Sequence, residues 1–387
     1  MKNWLPQRFY SEGKKNSIGL DILNNSIEHA KKIVQSNRNL VPIFTLNHLS
    51  YLTDIPYIYL RNIIIRKKDQ TSYRIFYIKK RKNKSQIFIN NRQICVPEPS
   101  LLRVQKYIHH NILKHIPPHH LCFSYSSGSI YDAASLHCGC RWLIKIDIRS
   151  FFESISEISV YRVFRNCGYP SLLSFELARI CTRLGARSFP GKKDRWNIYD
   201  PKKYKIINNI TELGYLPQGA PTSPILSNLV CYQLDCELEY FARKRKLTYS
   251  RYADDLSFST KEIQFNRSDA KEIISLVFNI VKKFGFSPNY TKTTVVPPGA
   301  KKIVLGLGVD TEHVKLSNDI KKRIKNHIYF CMNENIGPIK HAKEKKFASV
   351  IGFKNHLSGL IAYAIQIENE FGLKMLEEFK KIRWPFD

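Results

Sequence analysis

Residues 247–260 read LTYSRYADDLSFST, two short runs of β-branched and aromatic residues that meet at the adjacent carboxylates Asp254 and Asp255. Tyr249 and Arg251 alternate before the turn, and Leu256 and Phe258 after it, so the stretch predicts a β-hairpin with the acids at its tip. Neighbouring carboxylates on a tight turn repel each other. A Lys or Arg partner or a divalent metal is needed to hold them, and hard oxygen ligands suit Mg²⁺. Asp is also a common turn residue, so the pair taken alone reads first as an ordinary solvated turn.

Upstream, residues 141–156 read RWLIKIDIRSFFESIS, where Ile144, Ile146 and Ile148 alternate with Leu143, Lys145 and Asp147. A period of two turns the isoleucines to one face and Asp147 to the other, so an acid projects from a strand whose back lies in the core. Such an acid is costly unless it is ligated. Phe151, Phe152 and Glu153 then lead into a helix expected to reach Arg165, and a second helical pattern covers 171–184. Residues 185–213 read as an irregular basic insertion. Next, LPQGAPTSP opens a long amphipathic helix expected to end at Lys244, and Gln218 and Gly219 place backbone and side-chain amides near its start, where a phosphate or base pair could lie. An ordinary loop and helix cap fits the same residues.

Beyond the hairpin a helix is expected over 270–284, then a turn into a strand with Lys292 at its start. KKIVLGLGVD, 301–310, predicts a short strand pair around Gly306 and Gly308. From Ser317 the chain is helical and basic, with Lys321, Lys322, Arg323 and Lys325 able to lie along a duplex. At the other end, the first 40 residues are polar around a modest helical pattern and are expected to pack loosely or form a basic arm. Residues 43–66 carry helical spacing, 73–97 read as strand, basic turn and strand, and 101–116 as a helix stopped by Pro117 and Pro118. The basic turn gathers Lys79, Lys80, Arg81, Lys82 and Lys84, with Arg92 on the return strand. It is either a solvated face or a positive flap able to close on a triphosphate.

The chain has 387 residues, 43% of them hydrophobic, enough for a substantial core in two or three subdomains. Lys and Arg number 62 against 32 Asp and Glu, a net charge of +30 that calls for a polyanionic partner, with nucleic acid first. There is no apolar run of about 18 residues and no signal-like start, so no membrane partner and a cytoplasmic location are expected. The nine cysteines are odd in number and scattered in apolar surroundings, which fits free buried thiols. His137, Cys138 and Cys140 alone hint at zinc, without a second pair at finger-like spacing.

In combination these pieces are specific: a strand Asp, a PQG loop, a YADD hairpin and a following Lys, in that order. Over residues 45–370 the chain resembles bacterial reverse transcriptases, most closely the retron class and its defence-associated relatives. The resemblance implies an α+β right-hand polymerase fold with fingers, an antiparallel palm sheet with helices, and a helical thumb. Its expected divisions are an N-terminal extension at 1–42, fingers at 43–135, palm at 136–300, and primer grip and thumb at 301–387.

The resemblance further implies that Asp147, Asp254 and Asp255 hold two Mg²⁺ ions about 4 Å apart, and that Lys292 protonates the leaving pyrophosphate. Phe152 matches the ribose gate against a 2′-hydroxyl, with plain core packing as its alternative. Gln218 and Gly219 match the loop beside the templating base pair. Arg92 and Lys79 or Lys80 match the triphosphate grip, although Ile78 stands where the family has Pro. Lys321, Lys322, Arg323 and Lys325 match RNA-contacting thumb residues. The retron Asn-Ala-x-x-His signature is Ala133 to His137 here, with only the Ala and His retained, and Val-Thr-Gly is Val304, Leu305, Gly306. His137 is therefore either an RNA contact or a packed loop histidine. The implied function is RNA-directed synthesis of DNA from dNTPs on a structured non-coding RNA, giving an RNA–DNA product (msDNA) in antiphage defence with a separate effector protein. The alternatives are a protein-primed or template-independent relative, and a catalytically silent RNA-binding scaffold.

Overall fold

The computed structural model describes residues 4–67, 72–79, 91–185, 189–190 and 212–386. Its centre is the strand Trp142–Arg149, on which Leu143, Ile144, Ile146 and Ile148 are all buried. The strand pairs antiparallel with Asp255–Thr260 on one side and with Ser287–Pro288 and Thr294–Val296 on the other, and Thr248–Tyr252 closes the hairpin at the edge. Helix Arg267–Lys283 covers the central strand and Ser287–Pro288, while Tyr232–Lys244 covers Thr248–Tyr252. Asn266 fixes the start of the first of these helices by accepting from the backbone N–H groups of Ser268 at 2.8 Å and Asp269 at 3.2 Å, two donors a helix cannot satisfy internally.

One apolar core runs from Ile33 through the helices of the first half to Phe286 of the palm. A second holds the C-terminal helices Asn318–Met332, Gly337–Glu344, Val350–Ile367 and Asn369–Lys380 against Leu143 and Val304. Leu143, on the Asp147 side of its strand, is buried because this second core reaches it. The strand pair expected at 301–310 is Ile303–Val304 with Leu307–Gly308, and Lys315–Leu316 adds a third strand. Both residues of the intervening turn have positive φ, Leu305 at 50° and Gly306 at 87°, the pattern of a type I′ hairpin.

Three expectations need correction. The first 40 residues are not a loose arm: Leu23, Ala30 and Ile33 of helix Leu20–Ser36 are buried, and Gly168 packs so closely that a Cβ there would lie 2.9 Å from the Lys32 carbonyl oxygen. The helix expected at 101–116 ends at Asn111, because buried Ile112 leaves the helical region at φ −125°, ψ −70°, and one 3₁₀ turn, Leu113–His115, follows. The long helix after the PQG loop is two, Ser223–Val230 and Tyr232–Lys244, broken at Cys231 where ψ is −1°. The tip of the basic turn after Lys79 and most of the 185–213 insertion lie outside the described residues.

Candidate active site

Strand register places Asp147 directly opposite Asp255, so both carboxylates project from one face of the sheet. Asp254 enters from the two-residue turn between Tyr252 and Asp255, whose other member, Ala253, has φ +54°. A left-handed alanine costs about 1–2 kcal/mol and persists only where its surroundings enforce it. Here they do. The Ala253 N–H donates to Ser124 Oγ at 2.8 Å, and its carbonyl accepts from Arg251 Nη1 at 3.1 Å.

Arg251 is fully buried and held in turn by Asp235, which accepts from Nε and Nη2 at 2.7 Å each and from the Tyr249 hydroxyl at 2.8 Å. Asn228 links the two halves, accepting from Arg251 Nη1 at 3.1 Å and donating to the Ser124 carbonyl at 2.6 Å. The charged pair is thus satisfied on nearly every donor and acceptor, which is what permits it in the interior.

The carboxylates themselves are short of positive charge. Burial, then Asp255 and Asp147, push Asp254 up to about 6, with Lys292 opposing. Asp255 is raised by burial and Asp147, against Lys145 and Lys292. Asp147 is tied to Lys292 Nζ at 2.8 Å and to Asn289 Nδ2 at 2.7 Å, while the Asn289 N–H donates to the Asp147 carbonyl at 2.7 Å. Three hard oxygen donors, two of them resisting ionisation and one leaning on an ammonium, form a donor set suited to a divalent cation. Among the described residues, the His/Cys/Asp/Glu trio with ligand atoms all within 4.8 Å of one another is His119, His120 and Glu239. There His119 and His120 face the Glu239 carboxylate at 3.1 and 3.4 Å, Arg243 also pairs with it, and His119 Nδ1 accepts from the Leu121 N–H at 3.3 Å, so His119 Nε2 carries the proton and is closed to a metal.

Phe152 is half-buried in the 3₁₀ turn Phe152–Ser154, edge-on to Phe151 at 5.5 Å, whereas Phe151 is in the core against Phe286. The Gln218 carbonyl accepts from the Cys95 N–H at 2.7 Å, and Gly219, at φ +112°, passes so close that a Cβ would sit 2.9 Å from the Cys95 oxygen. The PQG loop is therefore fastened to strand Asn91–Pro97, which carries exposed Arg92. Lys79 ends the paired strand Tyr73–Lys79, opposite Asn91, and Lys80 lies outside the described residues.

His137 is a correction. It has no exposed surface, and its ring nitrogens lie 2.7 Å from Ser259 Oγ and 2.7 Å from Ser250 Oγ, so it braces both strands of the hairpin from within and offers nothing to RNA. Burial pushes its pKa down to about 4, which keeps it neutral. Cys138 and Cys140 are buried free thiols, and eight of the nine cysteines are buried. On the thumb, Lys321 pairs with Glu368 at 2.6 Å and lies over the Phe371 ring, as does Lys325. Lys322 and Arg323 are exposed and border a cavity of about 280 Å³ with Lys345 and Asn326.

Sequence reasoning missed the clamp beneath the turn, formed by Ser124, Asn228, Asp235 and Arg251. It also missed Tyr125, half-exposed at φ +53°, whose pKa is raised by burial and by the fields of Tyr252 and Asp254, with Arg92 opposing. Tyr125 is thus within electrostatic reach of both Asp254 and Arg92. The only signal for it was the polar loop 124–128 itself.

Residues 65–311 match the family described as "Reverse transcriptase (RNA-dependent DNA polymerase)". The chain is similar to the Retron Ec86 reverse transcriptase of Escherichia coli, at 27% identity over 94% of this chain and 96% of that one. It is also similar to the Retron Mx162 reverse transcriptase of Myxococcus xanthus, at 29% identity over 62% of this chain and 50% of that one. Among solved structures, it aligns with telomerase from Candida albicans at a TM-score of 0.39 and 13% identity, covering 80% of this chain and 63% of that chain. It aligns with the foamy viral protease-reverse transcriptase at a TM-score of 0.37 and 13% identity, covering 80% of this chain and 34% of that chain. With its palm sheet, its YADD hairpin and this match over more than half its length, the chain belongs to the reverse transcriptase family of RNA-directed DNA polymerases, in the bacterial retron class.

Proposed function

We propose that this polymerase copies part of a bound, structured non-coding RNA into DNA from dNTPs, giving an RNA–DNA product of the msDNA kind, in antiphage defence with a separate effector. The observation that carries the reading is the register of Asp147 opposite Asp255, with Asp254 in a turn clamped from beneath by Arg251 and Ser124. Asp147, Asp254 and Asp255 would hold two Mg²⁺ ions, which when bound supply the positive charge that activates a 3′-hydroxyl and stabilises a leaving pyrophosphate. This chain's own residues do the rest. The clamp keeps the carboxylates aligned without reorganisation at the moment of reaction. Lys292, whose Nζ lies 2.8 Å from Asp147 Oδ2, would give its proton to the departing pyrophosphate oxygen. Arg92, with Lys79 or Lys80, would neutralise the triphosphate, and the ring of Phe152 would crowd a 2′-hydroxyl. Gln218 and Gly219 would support the templating base pair from a loop whose backbone is tied to the Arg92 strand. Lys322 and Arg323 would meet the backbone of the bound duplex, while Lys321 and Lys325, engaged with Glu368 and Phe371, would shape that helix face.

The experiment is to purify the full chain from cells with its nucleic acid and digest the extract with RNase and DNase in parallel. A species shortened by both enzymes, with RNA covalently joined to DNA, is the expected result. DNA attached to protein would replace this reading with the protein-primed one.

A further inference from the structure

Residues 289–293 link strands Ser287–Pro288 and Thr294–Val296, which pair with the central strand at Ile148 and at Lys145, so the link brackets the position of Asp147. Asn289 folds this link. Its carbonyl accepts from the N–H groups of Lys292 at 3.2 Å and Thr293 at 3.1 Å, and from Thr293 Oγ1 at 3.0 Å. Its own N–H and its side-chain Nδ2 both turn to Asp147, donating to the carbonyl and to Oδ1 at 2.7 Å each. Thr291 Oγ1 donates to Asn289 Oδ1 at 3.0 Å, which leaves Nδ2 as the end of the amide that faces Asp147.

The two oxygens of Asp147 are therefore held in different ways. Oδ1 is fixed by a neutral amide whose residue is itself fastened by backbone and side chain. Oδ2 is held by Lys292 Nζ at 2.8 Å, and the Lys292 side chain is 58% exposed against 10% for that of Asp147. An ion pair to so exposed an ammonium, carried on a flexible stem, adds little and gives way readily. The amide supplies orientation without charge, whereas the ammonium occupies the oxygen as a cation does.

Given Asp147 as a metal ligand, the reading on which this depends, we propose that Asn289 is the positioning residue of Asp147 and that Lys292 keeps Oδ2 only until a divalent cation replaces it. Asn289 then keeps the carboxylate aimed after Lys292 has left. Lys292 becomes free for the pyrophosphate only once Oδ2 has been taken, which ties its release to a loaded site.

The test is Mn²⁺ binding to the full chain with its copurifying nucleic acid and without nucleotide, read by electron paramagnetic resonance and counted as the binding that Asp147→Asn removes. Lys292→Met should tighten it about threefold or more, because the competitor for Oδ2 is gone. The gain should persist in high salt, where a charge acting at a distance is screened. Asn289→Ala should weaken the binding about tenfold or more at urea concentrations where its unfolding curve shows it folded. Thr291→Val, which lets the amide turn over without touching Asp147, should weaken it in the same direction, and it decides the matter if Asn289→Ala does not fold. Unchanged or weaker binding in Lys292→Met, a gain that disappears in high salt, or undiminished binding in the Asn289 and Thr291 variants overturns the proposal. Mn²⁺ binding that Asp147→Asn leaves whole overturns instead the assignment of Asp147 as a ligand, and the roles of Asn289 and Lys292 with it.

Discussion

Arg251 Nη2 and Asp235 Oδ2 lie 2.7 Å apart with neither side chain exposed to solvent, and through Arg251 Nη1 this pair holds the carbonyl of Ala253 in the turn that carries Asp254. A helix residue 19 positions before Asp254 is in this way part of the scaffold of the active site. Removing one member strands the other as a buried charge. Asp235→Asn should lower stability by about 3–5 kcal/mol, read from urea unfolding, and reduce kcat much more than the KM for dNTP. An equal fall in stability with unchanged kcat would separate the pair from the turn.

Ser124→Ala removes the acceptor for the Ala253 N–H, which is buried and made in a strained conformation. The expected cost is about 1–3 kcal/mol in the same unfolding measurement, with Ser124→Thr restoring most of it where the added methyl fits.

Asp254 makes stability depend on pH and on divalent cations. Its pKa is raised from 3.8 to about 6, so the folded state disfavours ionisation. The resulting penalty is absent below 3.8, grows as pH rises to about 6, and is full above that. Without divalent cations, Asp254→Asn should therefore melt at a higher temperature than the unaltered chain at neutral pH, with the difference vanishing toward pH 4. Added Mg²⁺ should raise the melting temperature of the unaltered chain and leave that of the variant nearly unmoved.

Phe152 stands half-buried next to core Phe151, on the exposed side of the pair. Phe152→Ala should lower the ratio of dNTP to NTP incorporation efficiency by about tenfold or more, measured as kcat/KM for each. An unchanged ratio would leave Phe152 as a packing residue.

The hairpin and the Asp147 strand were legible in the sequence because their signals are local. A period of two with β-branched residues fixes strand and facing, and the acid pair, ordinary at a turn by itself, gains meaning once Asp147 supplies a third carboxylate. Gly219 was only half legible: the sequence fitted an ordinary loop and cap equally well, and the φ of +112° against the Cys95 carbonyl that calls for glycine comes from the fold. What escaped the sequence depends on residues far apart in it. Arg251 reads as one polar residue of an alternating strand, and only the fold brings Asp235, Asn228 and Ser124 around it, the last 127 positions earlier. His137 matched a signature that suggested RNA contact, yet the serines at 250 and 259 that enclose it lie more than 100 residues away. The packing of the first 40 residues was hidden for another reason. Their apolar positions are few, and the burial of Leu23 goes with its close packing on Gly13 and that of Ile33 with the close approach of Gly168.

The account rests on the three aspartates acting in nucleotide transfer, not in folding or RNA retention. The direct measurement is dNTP incorporation by the Asp254→Asn, Asp255→Asn double variant, purified beside the unaltered chain with its copurifying RNA quantified in both. The expected result is loss of DNA synthesis to background with RNA retained at the same stoichiometry. Synthesis continuing in the double variant would contradict the assignment of the active site.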